Sequence, residues 1–457
     1  MKMRTAALLA LPFLAFALAG TARAQPPAGC TAPNEADPDL IRTIVRTSVP
    51  PLTCPSLRTK LSIPADAEAD FQFFRTVVPW YWDFLRRDAA CAANKNQGVL
   101  RTELHALAND FPGLCAGDPH PENFALQFNP PPAAPTFGVN DPDDAGQSCP
   151  VVADLFRFVV GTKLARPDAN TKALVDRYVA AVTAPSTGAP RSSAISALAA
   201  KGPKDEETDL PASGTPCSKA MLAGLTKAYR ESLTVSGLSL EADPTAANCV
   251  DVSGQKESGG SGGLPRFAMR VMLKNGSAPS FPRIVQFKGT QANATAFFRD
   301  PPKPWDARDR YSAACLAERG KDAVPCPVVT PIPGGGSFFV RTKNERTVKF
   351  EKLKPDAVQS VYEDEAGALG ALHGRSLDSA KAAEYAKRLR ALRDALDVDA
   401  TAFVETVKKS AAALRSVLAA PGAFEAACEP PISPSPVPPR PVPPPRPKKR
   451  DQSGSAN

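Results

Sequence analysis

The stretch CAGDPHPENF (Cys115–Phe124), followed closely by NDPDD (Asn140–Asp144), decides how this chain is read. Gly117, Asp118, His120 and Asn123 fall within seven positions, and Pro119 and Pro121 bar a regular helix between them. The segment is therefore expected to be a rigid loop that fixes polar side chains, as a site requires. Asp118 and Asn123 have the D-x-x-x-x-N spacing with which a phosphoryl-transfer loop presents a proton-accepting carboxylate and a metal-binding amide. Asp141, Asp143 and Asp144 set three carboxylates in four positions, where mutual repulsion calls for a cation or for basic side chains. Hard oxygen ligands of this kind suit Mg²⁺ best.

Outward from these loops, TFGVN (Thr136–Asn140) reads as a strand and VVADLFRFVVG (Val151–Gly161) as an apolar helix. Asp154 and Arg157 stand at i and i+3 on that helix. Buried charges cost several kcal/mol unless paired, so the two are expected to brace the acidic loop or each other. Upstream, FQFFRTVVPWYWDFLRRD (Phe71–Asp88) holds seven aromatics and is expected to be core. RFAMRVML (Arg266–Leu273) and PRIVQFK (Pro282–Lys288), joined through Asn275-Gly276, predict an antiparallel strand pair. Beyond Pro355 the spacing of Ala and Leu predicts three successive helices, within GALGALHG, AKAAEYAKRLRALRDAL and FVETVKKSAAALRSVL. His373 there is expected to pack or cap, and His105 to be a surface or half-buried helical residue. Segments 204–216 and 253–265, rich in Gly, Ser, Pro and charge, are expected to be loops. The chain is thus α+β with a helical C-terminal part.

Charge excludes one class of partner. Of the formal +8, residues 1–24 carry +3 and residues 430–457 carry +4, which leaves +1 for the body and no broad basic footprint for nucleic acid. Lys2 and Arg4 precede an apolar run from Ala6 to Leu18, too short to span a bilayer, and Ala22-Arg23-Ala24 fits a cleavage site. Residues 1–24 are therefore expected to be a signal peptide cut after Ala24, which sends the protein to the periplasm or the exterior. Residues 25–69 read as an extended arm, and 70–429 as the main domain. The tail 430–457 has 11 Pro between Pro430 and Pro447 and then Lys448-Lys449-Arg450. It is expected to be disordered polyproline, in weak contact with an anionic envelope surface or with no partner. No later stretch is long and apolar enough to cross a membrane. Ten scattered cysteines without C-x-x-C suggest disulfides, with sequence neighbours as plausible pairs: Cys30–Cys54, Cys91–Cys115, Cys217–Cys249 and Cys315–Cys326.

Taken together, FQFFR (Phe73, Arg75), GDPHPENF (Gly117, Asp118, His120, Asn123), VNDPDDA (Asn140, Asp141, Asp143) and ADLFRF (Asp154, Arg157) resemble segments of one known family. So do RIVQFK (Lys288), FFVRTK (Arg341) and LGALHGRS (His373). The family is the bacterial domain of unknown function 2252, itself similar in motif to the protein-kinase-like and aminoglycoside-phosphotransferase superfamily. The resemblance covers roughly Phe71 to Leu418. It implies a two-lobed kinase-like fold with Asp118 as catalytic base or hydroxyl-orienting group, and His120 beside it. It also implies Asn123 with Asp141 or Asp143 as ligands of Mg²⁺ or Mn²⁺. Lys288 would be a phosphate-binding cation, and Arg75 and Arg341 further binding residues; the Gly259–Gly263 run upstream reads either as a linker or as a backbone-amide cradle for phosphate. Lys288 follows Asp118 by 170 residues, so either the lobe order is permuted or Lys288 plays another part. Three functions remain open on this reading. The first is an exported metal-dependent phosphotransferase acting on a hydroxyl of a small molecule or envelope component. The second is a catalytically inactive ligand- or partner-binding relative, and the third a metallophosphoesterase.

Overall fold

The computed structural model describes residues 30–428 apart from 32–33, 49–51, 67, 94–97, 129–134, 203–209, 213, 234–237, 254–263, 278, 291, 300–301, 303–312, 314–328, 332–336 and 343–344. The expected signal peptide, the proline-rich tail, the Gly259–Gly263 run, Cys315 and Cys326 lie outside the described residues.

The segment 25–69, expected to be an extended arm, instead carries two helices in its described part, α1 (Leu40–Ser48) and α2 (Cys54–Leu61). Leu40, Thr43 and Ile44 form the buried face of α1. Helix α2 starts at Thr53, whose side chain accepts the Ser56 N–H, with Pro55 in the first turn where its missing donor costs nothing; Leu57, Lys60 and Leu61 are buried. Three buried positions per helix are too few to give a periodic signal amid Pro and Thr.

The aromatic run forms α3 (Ala69–Thr76) and α4 (Val78–Ala93), and all seven of its rings are buried. Next come α5 (Thr102–Asp110), β1 (Pro112–Cys115), β2 (Phe124–Gln127), β3 (Thr136–Val139) and β4 (Gly146–Pro150). Two antiparallel registers here position the site. Phe124 of β2 faces Val139 of β3, and Cys115 of β1 faces Gly146 of β4. Loop 116–123 runs from β1 to β2 and loop 140–145 from β3 to β4, so the two loops lie side by side. Helix α6 (Val151–Ala165), buried continuously from Val151 to Thr162, backs them, followed by α7 (Thr171–Thr183) and α8 (Ser193–Ala200).

The middle of the chain builds a seven-stranded sheet with a hydrophobic cluster of its own. Its elements are β5 (Thr215–Pro216), α9 (Lys219–Leu233), β6 (Leu238–Leu240), β7 (Cys249–Asp251), β8 (Arg266–Asn275), β9 (Phe281–Gly289), β10 (Val329–Pro331) and β11 (Ser337–Thr342). The strand order is β10-β11-β9-β8-β7-β5, with β6 also on β8. Pairing of β8 with β9, Met269 opposite Val285, is the expected strand pair. Leu225 and Tyr229 of α9 join Met269, Val285 and Phe287 in the cluster. Strand β12 (Arg346–Thr347) then pairs with β2. The three expected C-terminal helices are present as α10 (Pro355–Ser376), α11 (Ser379–Ala391) and α12 (Arg393–Ala419), followed by α13 (Ala423–Cys428). Phe403 of α12 sits among Phe74, Trp80, Tyr81, Phe84 and Phe156, centring the larger core. The fold is mixed helix and sheet, as expected.

Four disulfides join described cysteines: Cys30–Cys91, Cys54–Cys428, Cys115–Cys149 and Cys217–Cys249. Of the pairs expected between sequence neighbours, Cys217–Cys249 is present, while Cys30–Cys54 and Cys91–Cys115 are replaced by partners brought near by tertiary folding. Among the described residues no helix is long and apolar enough to cross a membrane. The Cys54–Cys428 bond closes a separation of 374 residues. Replacing both cysteines by Ser should lower stability by about 2–5 kcal/mol in guanidinium unfolding and expose the α1–α2 segment to proteases; unchanged unfolding would contradict this coupling.

Candidate functional site

Loop 116–123 is held from below by side chains of α6 and α4. The Asp154 carboxylate, fully buried, accepts the N–H groups of Ala116 (2.7 Å) and Gly117 (2.9 Å) and contacts His373 Nε2 at 3.0 Å. His373 Nδ1 meets the Tyr178 hydroxyl, which in turn reaches Tyr385. Trp82 Nε1 donates to the Gly117 carbonyl at 2.8 Å. Gly117 itself has φ +86°, and a Cβ there would overlap the Asp144 carbonyl; the close approach of the two loops requires glycine. Cys115, Asp154 and His373 lie within ion-binding distance of one another. The Cys115 sulfur is in a disulfide and Asp154 is committed to two loop amides, so this trio is a structural network.

Arg157, also fully buried, donates through Nε (2.8 Å) and Nη2 (2.5 Å) to Asp118 Oδ1, and Nη2 reaches the Phe74 carbonyl at 3.0 Å. Its guanidinium carbon lies 4.2 Å from the Phe74 ring centroid and 5.0 Å from that of Tyr81. Asp154 and Arg157 were expected to brace the acidic loop or each other; they hold the Asp118 loop instead. Asp118 Oδ2 lies 3.6 Å from His120 Nε2, and His120 is buried edge-on against Phe71.

The second loop meets the first through Asn123. Its Nδ2 donates to the Asp118 carbonyl at 2.9 Å and to the Asp141 carbonyl at 3.3 Å, which leaves the amide oxygen as an acceptor. The Asn140 N–H bonds the Asn123 carbonyl at 2.9 Å. Lys288, near the end of β9 and 5% exposed, brings its ammonium to Asp141 Oδ2 at 2.5 Å and also ion-pairs Asp143. Burial first, then the Asp141 charge, raise the Asp143 carboxyl to about 7 against the pull of Lys288. Asp144 lines the same cleft and accepts the Ala294 N–H at 2.9 Å.

These groups line one open, polar cleft together with Arg75, which ion-pairs Glu122 of the first loop. Arg341 is placed in register opposite Gln286, two residues along β9 from Lys288. His105, expected near the surface, is buried and contacts Asp88, which also accepts the Val99 and Leu100 N–H groups. One cleft residue escapes the sequence reading: Lys60 of α2, 5% exposed. Burial lowers its ammonium to about 8, with Asp144 opposing the shift and Lys288 adding to it. A lone Lys in a Pro- and Thr-rich segment carries no signal that would single it out.

No family model, curated protein or solved structure matches this chain.

Two stability measurements test this electrostatic arrangement. Arg157→Met leaves Asp118 and the Phe74 carbonyl without their buried donor and should cost about 3–5 kcal/mol in urea unfolding. Lys60→Met should act oppositely. Between about pH 8 and 10.5 the folded state holds fewer protons on Lys60 than the unfolded chain, so its burial penalty is full below that window and fades as pH rises through it. The variant should be more stable at pH 7 by on the order of 3 kcal/mol, and the gain should shrink toward pH 10.5.

Proposed function

We propose that the cleft transfers a phosphoryl group from a phosphoanhydride donor to a hydroxyl, in a permuted kinase-like arrangement of a helical lobe and a sheet lobe. The observation that carries this reading is the meeting of Asp118, Asn123, Asp141, Asp143 and Lys288, drawn from two loops and a distant strand, in one polar cleft. The sequence resemblance described above supports the same assignment.

In this reading Asp118 orients the acceptor hydroxyl. Arg157 fixes Oδ1, so Oδ2 is the atom left to take the proton. The hydroxyl oxygen forms the new O–P bond while the donor's bridging P–O bond breaks, and its electron pair leaves with the donor. Asp141, Asp143 and the Asn123 amide oxygen are hard oxygen donors, and Asn123 is locked with that oxygen available. This donor set fits Mg²⁺ or Mn²⁺, which when bound would neutralise charge developing on the phosphoryl oxygens. Lys288 holds the same two carboxylates as a point charge able to pass to phosphate oxygens. The metallophosphoesterase reading has less support, since two-metal hydrolases use several His and both His105 and His373 are committed elsewhere.

The test is turnover. The mature protein with Mg²⁺ or Mn²⁺, a donor (ATP, GTP or polyphosphate) and a panel of hydroxyl compounds should release the cleaved donor. Asp118→Asn should lower kcat by about 10²–10⁴-fold with folding intact. Ligand binding with no turnover across donors and acceptors would favour the inactive binding protein.

A further inference from the structure

We propose that Lys60 is an anion-binding residue of the cleft, supplied by the N-terminal helices and taking the charged oxygens of a di- or polyphosphate ligand. The inference deepens the phosphoryl-transfer reading and rests on it for the ligand class.

Three observations carry it. First, Lys60 lines the cleft at 5% exposure, yet its ammonium makes no hydrogen bond or ion pair among the described residues. A buried, unpaired ammonium is costly, and the cost is removed when a counter-charge arrives. Second, the nearby carboxylates are bonded elsewhere: Asp118 to Arg157, Asp141 and Asp143 to Lys288, and Asp144 to the Ala294 N–H, so that Asp144 acts on Lys60 through its charge without contact and burial outweighs it. A contacting counter-charge is therefore to come from outside the chain. Third, Lys60 cannot readily leave. Helix α2 is tied down by the Cys54–Cys428 disulfide, by Arg58 Nη2 on the Leu418 carbonyl at 2.7 Å, and by the Arg58–Glu425 ion pair at 2.5 Å. Two ammonium groups, Lys60 and Lys288, are thus held at one cavity, where each raises the cost of the other's charge. An anion with several charged oxygens, as in a diphosphate, supplies the contacting partner that Lys60 lacks and can extend toward Lys288. A single carboxylate offers less charge and shorter reach.

The experiment is calorimetric titration of the full mature chain with inorganic pyrophosphate at pH 7. The wild type is compared with Lys60→Met, Lys60→Arg and Lys288→Met, each checked by thermal unfolding. Lys60→Met should weaken pyrophosphate binding by about tenfold or more. Lys60→Arg should keep most of the affinity, because a positive charge and not an amine nucleophile is what the site supplies. Wild-type affinity should fall as pH rises past 8, and this fall should be absent in Lys60→Arg. A merely structural lysine would lower Tm when removed, whereas Lys60→Met should leave Tm unchanged or raise it. Unaltered binding in Lys60→Met, with binding lost in Lys288→Met, would overturn the proposal and leave the phosphate cleft standing. Binding that depends on Lys60 without any turnover would uphold the proposal and count against phosphoryl transfer. No binding by the wild type would overturn both.

Discussion

The Asp154 carboxylate is the contact on which the site depends. It is fully buried in α6 and accepts two consecutive N–H groups of the Asp118 loop, so the loop takes its position from the core and not from its own sequence. A carboxylate bonded in this way is an unusually stiff anchor, because any shift of the loop leaves a buried charge unsatisfied. His373, Tyr178 and Tyr385 extend the anchor into α10, α7 and α11. Arg157, one helical turn on, uses the same stiffness to fix the orientation of the Asp118 side chain.

Charge around the cleft is distributed in separate small groups. Asp118 is matched by Arg157, and the Asp141–Asp143 pair by Lys288. Each group comes from elements far apart in sequence, and Asn123 joins the two loops through its side-chain amide and its backbone carbonyl. The arrangement is therefore cooperative: a change in the core beneath either loop reaches both carboxylate groups.

Much of the secondary structure was legible because its signals are local. The turn at Asn275-Gly276 between two apolar runs announces β8 and β9, and the Ala/Leu spacing announces α10 to α12. The loops of the candidate site were legible for a similar reason, since prolines and clustered polar residues mark Asp118 to Asn123 directly. What failed was long-range. Cys54 lies close to Cys30 in sequence yet pairs with Cys428, and no spacing rule reaches that far. Asp154 and Arg157 looked like partners at i and i+3, but each serves the loop above. Helices α1 and α2 bury only three residues apiece, so composition outweighed pattern there, and Lys60 went unnoticed with them.

One feature of the connectivity bears on how the cleft comes into being. Its wall includes α2, near the start of the described chain, and α2 is cross-linked to Cys428 at the far end. The covalent clasp on the Lys60 side cannot form before residue 428 has been made. A nascent or truncated chain would thus carry its N-terminal helices unfastened until the helix that ends at Cys428 is in place.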